Sequence, residues 1–342
     1  MMSSETVLPI GIDLGTSRSS ISAPGQKFVV DSYVGWPVDM VARKLVRKTV
    51  MVGSEALEHR TMLDLQRPLE RGVIKEGSDK THSAVREILQ HLLALAGAGP
   101  GDRKGRRIRA VVGVPAEASR LNKQHLRAAM KDLVDSLMIV SEPFAVAYGM
   151  EALLHALVID IGAGTADFCV MTGRYPTDEE QRTLTQAGDW VDEQLERLVR
   201  ERFPEASLSR HMVRAWKEAH SFVGEPPAPV IVQAPVKGKT TPLDITKEMR
   251  TACEGLLASV ADTMIEMISK VDPEFQEKVR QNVVLSGGTA LIRNFGKRLE
   301  EQLADLGGGK VTVVQDPVFV GSDGGLAIAV DAPDAEWDRL TS

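Results

Sequence analysis

The amino-acid sequence predicts an α/β protein built from two similar domains. Its 342 residues are too many for one ordinary hydrophobic core and about right for two. Short β-rich segments alternate along the chain with segments of helical periodicity, which is typical of an α/β fold. A weak internal duplication supports the count of two, because Ile-Gly-Ile-Asp-Leu-Gly-Thr-Ser at 10–17 resembles Val-Ile-Asp-Ile-Gly-Ala-Gly-Thr at 158–165. We expect a ligand to bind between the two copies.

The strands and helices follow from the spacing of apolar residues. Short apolar runs rich in β-branched residues predict strands at 7–14, 108–114, 157–161, 168–171, 283–285 and 311–314. Apolar residues at helical spacing predict helices over 85–93, 191–199 and 256–268. Clusters of Gly and Pro predict loops at 97–105, 224–229 and 306–310, and the stretch 224–243 predicts irregular structure with one edge strand.

Composition and charge narrow the class of partner. The net charge of −6 argues against a broad basic surface, so we expect no nucleic-acid partner and instead a small ligand or another protein. The two cysteines, Cys169 and Cys253, lie in apolar stretches and are expected to be buried. The first ten residues lack the pattern of a signal peptide, and no apolar run is long enough to cross a membrane. These features predict a cytoplasmic protein without membrane insertion.

The duplicated segments have the chemistry of phosphate binding. In each, an apolar strand ends in an aspartate, Asp13 or Asp160, which can hold Mg²⁺ through water. The glycines that follow let backbone N–H groups approach phosphate oxygens, and the hydroxyls of Thr16, Ser17 and Thr165 can donate further hydrogen bonds. Two such turns facing each other would hold a triphosphate from both sides.

Two further glycine-rich segments follow apolar residues later in the chain. Gly287 and Gly288 leave backbone exposed where a flat ring can lie, and a helix is expected after them. The stretch 321–327 is expected to start a final helix. No Walker-type sequence occurs, which argues against a P-loop NTPase.

Together these segments resemble the actin superfamily, which also includes sugar kinases and DnaK-type chaperones. Its two phosphate motifs are matched at 11–17 and 160–167, its two connecting segments at 111–115 and 321–327, and its adenosine motif at 285–292. Within the superfamily, the segments RPLERGVI at 67–74 and VGSEA at 52–56 resemble filament-forming actins. Finer features, such as SYVGWP, LDLQRPL and QAGDWVDE, resemble the bacterial actins of magnetosome chains along essentially the whole chain.

The resemblance implies an actin-like ATPase fold, in which two ribonuclease-H-like domains flank a nucleotide cleft and carry two small inserted subdomains. Subdomain IA would comprise 1–34, 72–143 and a C-terminal helix at 321–342, with IB inserted at 35–71. Subdomain IIA would comprise 144–182 and 246–320, with IIB inserted at 183–245.

The resemblance also assigns roles to single residues. Asp13 and Asp160 would organise Mg²⁺, and Glu142 would orient the attacking water, for which a carboxylate is suited because it can accept a proton. Glu142 and Asp160 are therefore the expected catalytic residues of a slow ATPase. The phosphate contacts would come from Gly15, Thr16, Ser17, Gly162, Ala163, Gly164 and Thr165. The ribose and base would be lined by Gly188, Lys217, Glu218, Gly287, Gly288 and Ile292.

Without the resemblance, some of these residues have simpler interpretations. Glu142 would be an ordinary loop carboxylate, and Lys217 and Glu218 would lie on a solvated helix face. The second phosphate motif also departs from the family, since Ala166 stands where a Thr or Ser is usual. That change removes one hydroxyl, and we expect nucleotide binding to survive it.

The resemblance implies that the protein binds ATP with Mg²⁺ and assembles head to tail into double-stranded cytoskeletal filaments, which position magnetosomes through an adaptor protein. Hydrolysis would be slow, because the sequence offers no obvious arginine finger, and it would promote filament turnover. Other filament actins, for cell shape or plasmid segregation, remain open, as does a small-molecule kinase or a nucleotide-binding protein that does not assemble. Against a kinase, no segment supplies a substrate base; against a DnaK-type chaperone, the sequence ends shortly after the last motif.

Overall fold

The computed structural model of the protein describes residues 6–75, 79–99, 101–103 and 105–340. The sequence-based expectations for residues 1–5, for positions 100 and 104 of the predicted loop and for residues 341–342 lie outside the described residues. The chain divides into two compact units, Met1–Leu153 with Asp316–Ser342 and Leu154–Gln315. The finer division into four subdomains stays a prediction.

The strands are short and form two five-stranded sheets, one three-stranded sheet and two two-stranded hairpins among the described residues. In chain order they are β1 (Val7–Leu14), β2 (Arg18–Ala23), β3 (Gln26–Asp31), β4 (Val34–Pro37), β5 (Met51–Val52), β6 (Leu63–Gln66), β7 (Leu69–Glu70), β8 (Val73–Ile74), β9 (Arg107–Val114), β10 (Ser136–Ser141), β11 (Leu154–Ile161), β12 (Ala166–Thr172), β13 (Gln181–Leu184), β14 (Ile231–Val236), β15 (Lys239–Asp244), β16 (Val283–Ser286) and β17 (Val311–Val313).

The helices include one long member, α8, and several of about two or three turns. In chain order they are α1 (Met40–Val46), α2 (Ser54–Glu58), α3 (Asp79–Leu95), α4 (Arg120–Met130), α5 (Glu142–Gly149), α6 (Gly188–Arg202), α7 (Arg210–His220), α8 (Thr246–Ser269), α9 (Pro273–Arg280), α10 (Phe295–Gln302), α11 (Val320–Asp331) and α12 (Asp334–Leu340). None of the described helices is long and apolar enough to cross a membrane.

The two five-stranded sheets have the same topology. The first unit has the strand order β3-β2-β1-β9-β10 and the second β13-β12-β11-β16-β17. In each sheet, the two strand pairings on one side of the central strand are antiparallel and the two pairings on the other side are parallel. This arrangement confirms the predicted duplication.

Burial explains why the sequence marked the central strands so clearly. Ile10 and Ile12 of β1 are at most 1% exposed, and in β11 the run from Leu157 to Ile159 is fully buried. A strand covered on both faces is expected to be a continuous apolar run. The helical stripes are buried in the same way: α3 covers the first sheet with Val85, Ile88, Leu89, Leu92 and Leu93. All six predicted strands and all three predicted helices are present.

The stretch 224–243 differs from the prediction. We predicted one edge strand, and the structure has a hairpin in which β14 pairs antiparallel with β15. Its two-residue turn is Lys237-Gly238, and both residues have positive φ, 49° and 79°. Such a turn matches the twist of the flanking strands, but a lysine at its first position is not the Asn or Asp that usually marks it.

The C-terminal part also differs from the prediction. The glycines at 321–327 do lie in a helix, α11, but a second helix, α12, follows it. Trp337 of α12 is 2% exposed, and the Arg109 guanidinium lies 5.4 Å from the centre of its ring. Arg109 also pairs with Asp334 at 2.6 Å, so α12 is held against β9 by one buried aromatic side chain and one cation.

Candidate functional site

The first glycine turn, residues 15–17, joins β1 to β2. Its three carbonyl groups all accept hydrogen bonds from the protein: Gly15 O from Ser32 Oγ (2.6 Å), Thr16 O from Arg67 Nε (3.0 Å) and Ser17 O from Ser32 N (2.9 Å). Because a peptide group is planar and its N–H points away from its C=O, fixing these carbonyls also fixes the following N–H groups. The turn is therefore a rigid row of backbone donors, as the prediction of phosphate binding requires.

Thr16 is held on two sides by the segment that returns from the small three-stranded sheet. Its carbonyl accepts from Arg67, and its hydroxyl accepts a hydrogen bond of 2.8 Å from Gly72 N. A hydroxyl that accepts one bond keeps its own proton for a second partner. The predicted phosphate contact of Thr16 is compatible with this geometry. Ser17 Oγ is buried and has no hydrogen-bond partner among the described residues, as expected of a donor whose acceptor is a ligand.

Asp13 lies at the carboxyl end of β1, opposite Gly113 of β9. A Cβ placed on Gly321, near the start of α11, would lie 3.0 Å from Asp13 Oδ2, so this glycine makes room for the carboxyl group. Burial raises the pKa of Asp13 to about 6. A metal ion bound beside this carboxyl group would supply positive charge that compensates for the lost hydration.

Glu142 is the first residue of α5, directly after the parallel strand β10, so the alternative of an ordinary loop carboxylate is wrong. Its side chain lies over Gly113, since a Cβ on that glycine would be 3.2 Å from Glu142 Cγ. Gly113 is the neighbour of Asp13 on the adjacent strand. The structure therefore brings Asp13 and Glu142 to the same edge of the first sheet.

The second glycine turn, residues 162–165, joins β11 to β12. Gly162 N donates to Thr165 O at 2.9 Å and closes the turn, and Thr165 is buried. The start of α6 holds the turn from outside, because Gly188 N donates to Gly162 O (3.1 Å) and Asp189 N donates to Ala163 O (2.7 Å). Thr289 Oγ1 also donates to Gly162 O, at 2.7 Å. Gly164 is buried within the same turn, and Asp160 precedes it at the end of β11.

Ala166, the departure from the family pattern, is the first residue of β12 and is fully buried in the core of the second unit. A hydroxyl there would need a buried partner, so an alanine suits the surroundings.

Lys217 and Glu218 are neighbours on α7 with opposite environments. Glu218 is exposed and pairs with Arg214 at 2.9 Å, as expected for a solvated helix face. Lys217 is only 8% exposed, so the same expectation is wrong for it. Its ammonium donates to Gly188 O at 2.7 Å and lies 2.9 Å from Asp192 Oδ1. A buried lysine becomes possible because this carboxylate neutralises it.

The three residues of the segment 287–292 that were predicted to line the ribose and base have different surroundings. Gly287 has φ +89°, and a Cβ there would lie 2.3 Å from Ile161 O, so only glycine fits beside the second turn. Gly288 has nothing within 4 Å of the position of a Cβ and borders open space. Ile292 is 5% exposed and belongs to the hydrophobic core of the second unit.

The residues present suit a nucleotide with Mg²⁺. Each unit has one glycine turn in which hydrogen bonds from the protein fix carbonyl groups and so fix the direction of the N–H groups that follow them. In each unit an aspartate precedes the turn. No group of three or more His, Cys, Asp or Glu side chains capable of holding a metal occurs in the described part of the chain. Mg²⁺ does not require one, because it keeps several waters and usually binds one or two carboxylates together with phosphate oxygens.

Sequence reasoning missed four residues that shape the turns: Ser32, Gly72, Asp192 and Thr289. Gly72 and Thr289 lie in the matched segments 67–74 and 285–292, but those matches assigned them no contact with a turn. Ser32 reaches the first turn from another part of the chain and carries no local signal. Asp192 does carry one, since it lies at helical spacing with the apolar Leu195 and Val199, where a carboxylate is out of place. Lys217 is likewise a charged residue on the buried face of α7, four residues after Val213.

Comparison with known proteins gives consistent matches over nearly the whole chain. The sequence profile of the family described as MreB/Mbl protein matches residues 8–334. The "Actin-like protein MamK" of Paramagnetospirillum magneticum is 39% identical over 332 residues, which are 97% of this chain and 94% of that protein. The "Actin-like protein MamK" of Magnetospirillum gryphiswaldense is 38% identical over 97% of this chain and 91% of its own length.

Solved structures of MamK superpose on this chain. The structure described as a MamK double helical filament matches with a TM-score of 0.92 at 38% identity, covering 96% of this chain and all of the other. A non-polymerising mutant of MamK bound to AMPPNP matches with a TM-score of 0.73 over the same shares of the two chains, also at 38% identity. The fold is therefore actin-like, as predicted.

Proposed function

This chain belongs to the MreB/Mbl family and is an actin-like protein, and from that premise we propose that it assembles with ATP into cytoskeletal filaments. The observation that carries the proposal is the similarity, over 97% of the chain, to MamK proteins of which one solved structure is a double helical filament. A relative bound to AMPPNP supports ATP as the nucleotide. The family match favours this function over a kinase or a DnaK-type chaperone.

The two glycine turns would bind the phosphates. The turn at 15–17 would use its fixed N–H groups and the hydroxyls of Thr16 and Ser17, and the turn at 162–165 its own N–H groups and Thr165. Asp13 and Asp160 would hold Mg²⁺ through water, and the ion would neutralise charge that develops on the phosphates. Gly188, Glu218, Gly287 and Gly288 would lie near the ribose and base, with Gly288 bordering the open space that a ring needs.

Glu142 would accept a hydrogen bond from the attacking water and share its proton. It is the first residue of α5. Hydrolysis would remain slow until assembly brings Glu142 and its water into line. ATP would then favour assembly, and hydrolysis to ADP would loosen the filament.

An exposed apolar face supports self-assembly. Val38 is 58% exposed, and on the adjoining α1 Met40, Val41 and Leu45 are 82%, 61% and 66% exposed. Neighbouring apolar side chains that remain in water usually mark an interaction surface. We assign this face, Val38 with α1, to contact with a second copy of the chain, because the solved relatives assemble as filaments. A head-to-tail contact extends into a filament when the rotation between successive copies does not close into a ring, and we propose that arrangement here.

Phosphate release at increasing protein concentration tests the coupling of hydrolysis to assembly. The rate per protomer should be low in dilute protein and rise steeply above the concentration at which light scattering appears. A rate per protomer that does not depend on concentration would contradict the coupling and leave only a slow ATPase.

We also propose that the filaments lie in the cytoplasm alongside magnetosomes and position them through an adaptor protein. This rests on the resemblance to the bacterial actins of magnetosome chains. The test is to replace MamK of Paramagnetospirillum magneticum with this chain and image the cells. Ordered chains would support the role, whereas filaments beside scattered magnetosomes would contradict it.

A further inference from the structure

A buried ion pair lies behind the second glycine turn, at the start of α6. Lys217 Nζ is 2.9 Å from Asp192 Oδ1, and the two side chains are 10% and 6% exposed. The same ammonium donates a hydrogen bond of 2.7 Å to Gly188 O. Lys217 lies on α7, whereas Gly188 and Asp192 lie in the first turns of α6. One ammonium group therefore joins the two helices at the point where α6 begins.

The start of α6 in turn fixes the second glycine turn. Gly188 N donates to Gly162 O and Asp189 N donates to Ala163 O. Since each peptide group is planar, the direction of Gly162 O sets the direction of the next N–H, that of Ala163, and Ala163 O sets that of Gly164. A shift of the first turn of α6 would thus rotate the N–H groups that are proposed to bind phosphate.

The two charges depend on each other. Burial raises the pKa of the Asp192 carboxyl group, and the Lys217 ammonium opposes that shift. Removing one partner of a buried pair leaves the other charge without compensation, and the helices that carry it must move to let water in. A substitution at Asp192 should therefore also shift Gly188, because the Lys217 ammonium contacts both residues.

We propose that Asp192 and Lys217 are a positioning pair, which holds the start of α6 and through it the second glycine turn in the conformation that binds phosphate. This inference rests on the proposed nucleotide function and concerns the same site. It gives Lys217 a role through Asp192 and Gly188 in place of the contact with base and ribose that the resemblance implies. It gives Asp192, to which the sequence analysis assigned no role, an equal part in that role.

The test is a double-mutant cycle on nucleotide affinity, with Asp192→Asn, Lys217→Met and the two combined. Titration calorimetry with Mg-ATP and with Mg-GTP gives the dissociation constants. Each single substitution should weaken Mg-ATP binding by about tenfold, and the double variant should be no weaker than the weaker single one, because the pair acts as a unit. The ratio of ATP to GTP affinity should stay as in the wild type, because neither side chain contacts the base.

Glu248→Gln provides a matched control, because it disturbs a similar ion pair at the other end of the same helix. Arg202, the last residue of α6, lies 3.1 Å from Glu248 Oε2, and the Glu248 side chain is 7% exposed. This variant should lose thermal stability without nucleotide, as the Asp192 and Lys217 variants should, but keep its affinity for Mg-ATP. If either pair variant does not fold, Gly188→Ala replaces it. A Cβ there would lie 2.6 Å from Thr289 Oγ1 and 3.2 Å from Gly162 O, so it would separate the start of α6 from the second glycine turn while the pair is intact. That variant should also lose affinity.

Four results would overturn the inference. The first is wild-type affinity for Mg-ATP in Asp192→Asn or in Gly188→Ala, and the second is a changed ratio of ATP to GTP affinity in Lys217→Met alone. The third is a loss of Mg-ATP affinity in Glu248→Gln as large as that in the pair variants. The fourth is a loss in the double variant equal to the sum of the two single losses in binding free energy. If the wild-type protein bound neither nucleotide, the proposed function would fail and the inference with it. A wild type that binds Mg-ATP beside an Asp192→Asn variant that binds it equally well would leave the function standing and reject the positioning pair alone.

Discussion

Glu142 lies at the junction of β10 and α5, and its side chain packs over Gly113. Gly113 lies opposite Asp13 on the adjacent strand. The substitution Glu142→Gln keeps the shape of the side chain and removes its ability to take a proton. We expect phosphate release to slow by about 100-fold, while Mg-ATP binding and assembly persist, because general-base catalysis contributes roughly that much or more. Filaments of this variant should also outlast those of the wild type.

The control for that substitution is Glu151→Gln, which changes an exposed glutamate just beyond the other end of α5. It should hydrolyse ATP at the wild-type rate. Equal rates of phosphate release in the wild type and Glu142→Gln would rule out Glu142 as the residue that activates water.

Gly288 offers a test of the base pocket that leaves the fold intact. Nothing lies within 4 Å of the position of a Cβ on this residue, so a leucine there would project into open space. Gly288→Leu should leave the melting temperature of the nucleotide-free protein unchanged and weaken Mg-ATP binding by about tenfold or more, since a side chain would occupy the place of the ring. Gly101→Leu, at another glycine with open surroundings, should change neither quantity. Wild-type affinity for Mg-ATP in Gly288→Leu would show that the base does not bind beside Gly288.

The sequence could indicate the residues of the two turns because their signal is local. Asp13 and Asp160 each end an apolar strand, and glycines follow within a few positions. It could not indicate how the turns are held, because Ser32 and Thr289 reach them from other parts of the chain. Lys217 shows the same limit: a lysine is ordinarily exposed, and only the tertiary structure brings it to the carboxylate of Asp192.

At the scale of elements, α5 and α11 approach unusually closely through glycine. A Cβ on Gly324 of α11 would lie 1.8 Å from Ala145 O, which belongs to the backbone of α5 and cannot rotate away. Gly324→Ala should therefore push the helices apart and cost about 1–3 kcal/mol of unfolding free energy, a loss of several degrees in melting temperature. Thermal unfolding followed by circular dichroism measures the change.

Gly101→Ala is the control for that packing, since a methyl group there meets nothing within 4 Å and should not lower the melting temperature. An unchanged melting temperature in Gly324→Ala would contradict the close packing of α11 on α5.

Elements buried on both faces were predictable, and those on the periphery were less so. The central strands β1 and β11 are recognisable in the sequence as continuous apolar runs, because both of their faces are buried. The hairpin of β14 and β15 was only half predicted, because its Lys-Gly turn is an uncommon sequence for two residues with positive φ. The strand β2, between β1 and β3, was not predicted because serines at 19, 20 and 22 take buried positions where apolar residues would mark a strand. Ser20 and Ser22 instead hydrogen-bond to Ser322 of α11.

At the scale of the whole molecule, the short duplication in the sequence corresponds to two complete sheets of equal topology. The Asp-x-Gly turns keep sequence similarity between the copies because the backbone geometry there restricts residue choice, whereas the cores accept many apolar combinations. Assembly has no comparable signal in the sequence, since an interaction face such as Val38 with α1 becomes visible only once exposure is known.

That face allows assembly to be separated from nucleotide binding. Met40→Asp places a charge where the apolar contact with a second copy is proposed, and Met40 is 82% exposed, so the monomer should fold as before. The protein concentration needed for assembly should rise by about tenfold or more, while Mg-ATP affinity is unchanged. Sedimentation at increasing concentration measures the first quantity, and Met40→Leu, which keeps the apolar surface, should assemble normally. Wild-type assembly of Met40→Asp would place the contact elsewhere.

The most direct test of the account is negative-stain microscopy combined with light scattering of the purified protein in Mg-ATP, in Mg-ADP and without nucleotide. We expect filaments with Mg-ATP, fewer or shorter ones with Mg-ADP, and none without nucleotide. A protein that binds Mg-ATP yet stays monomeric in all three conditions would contradict it.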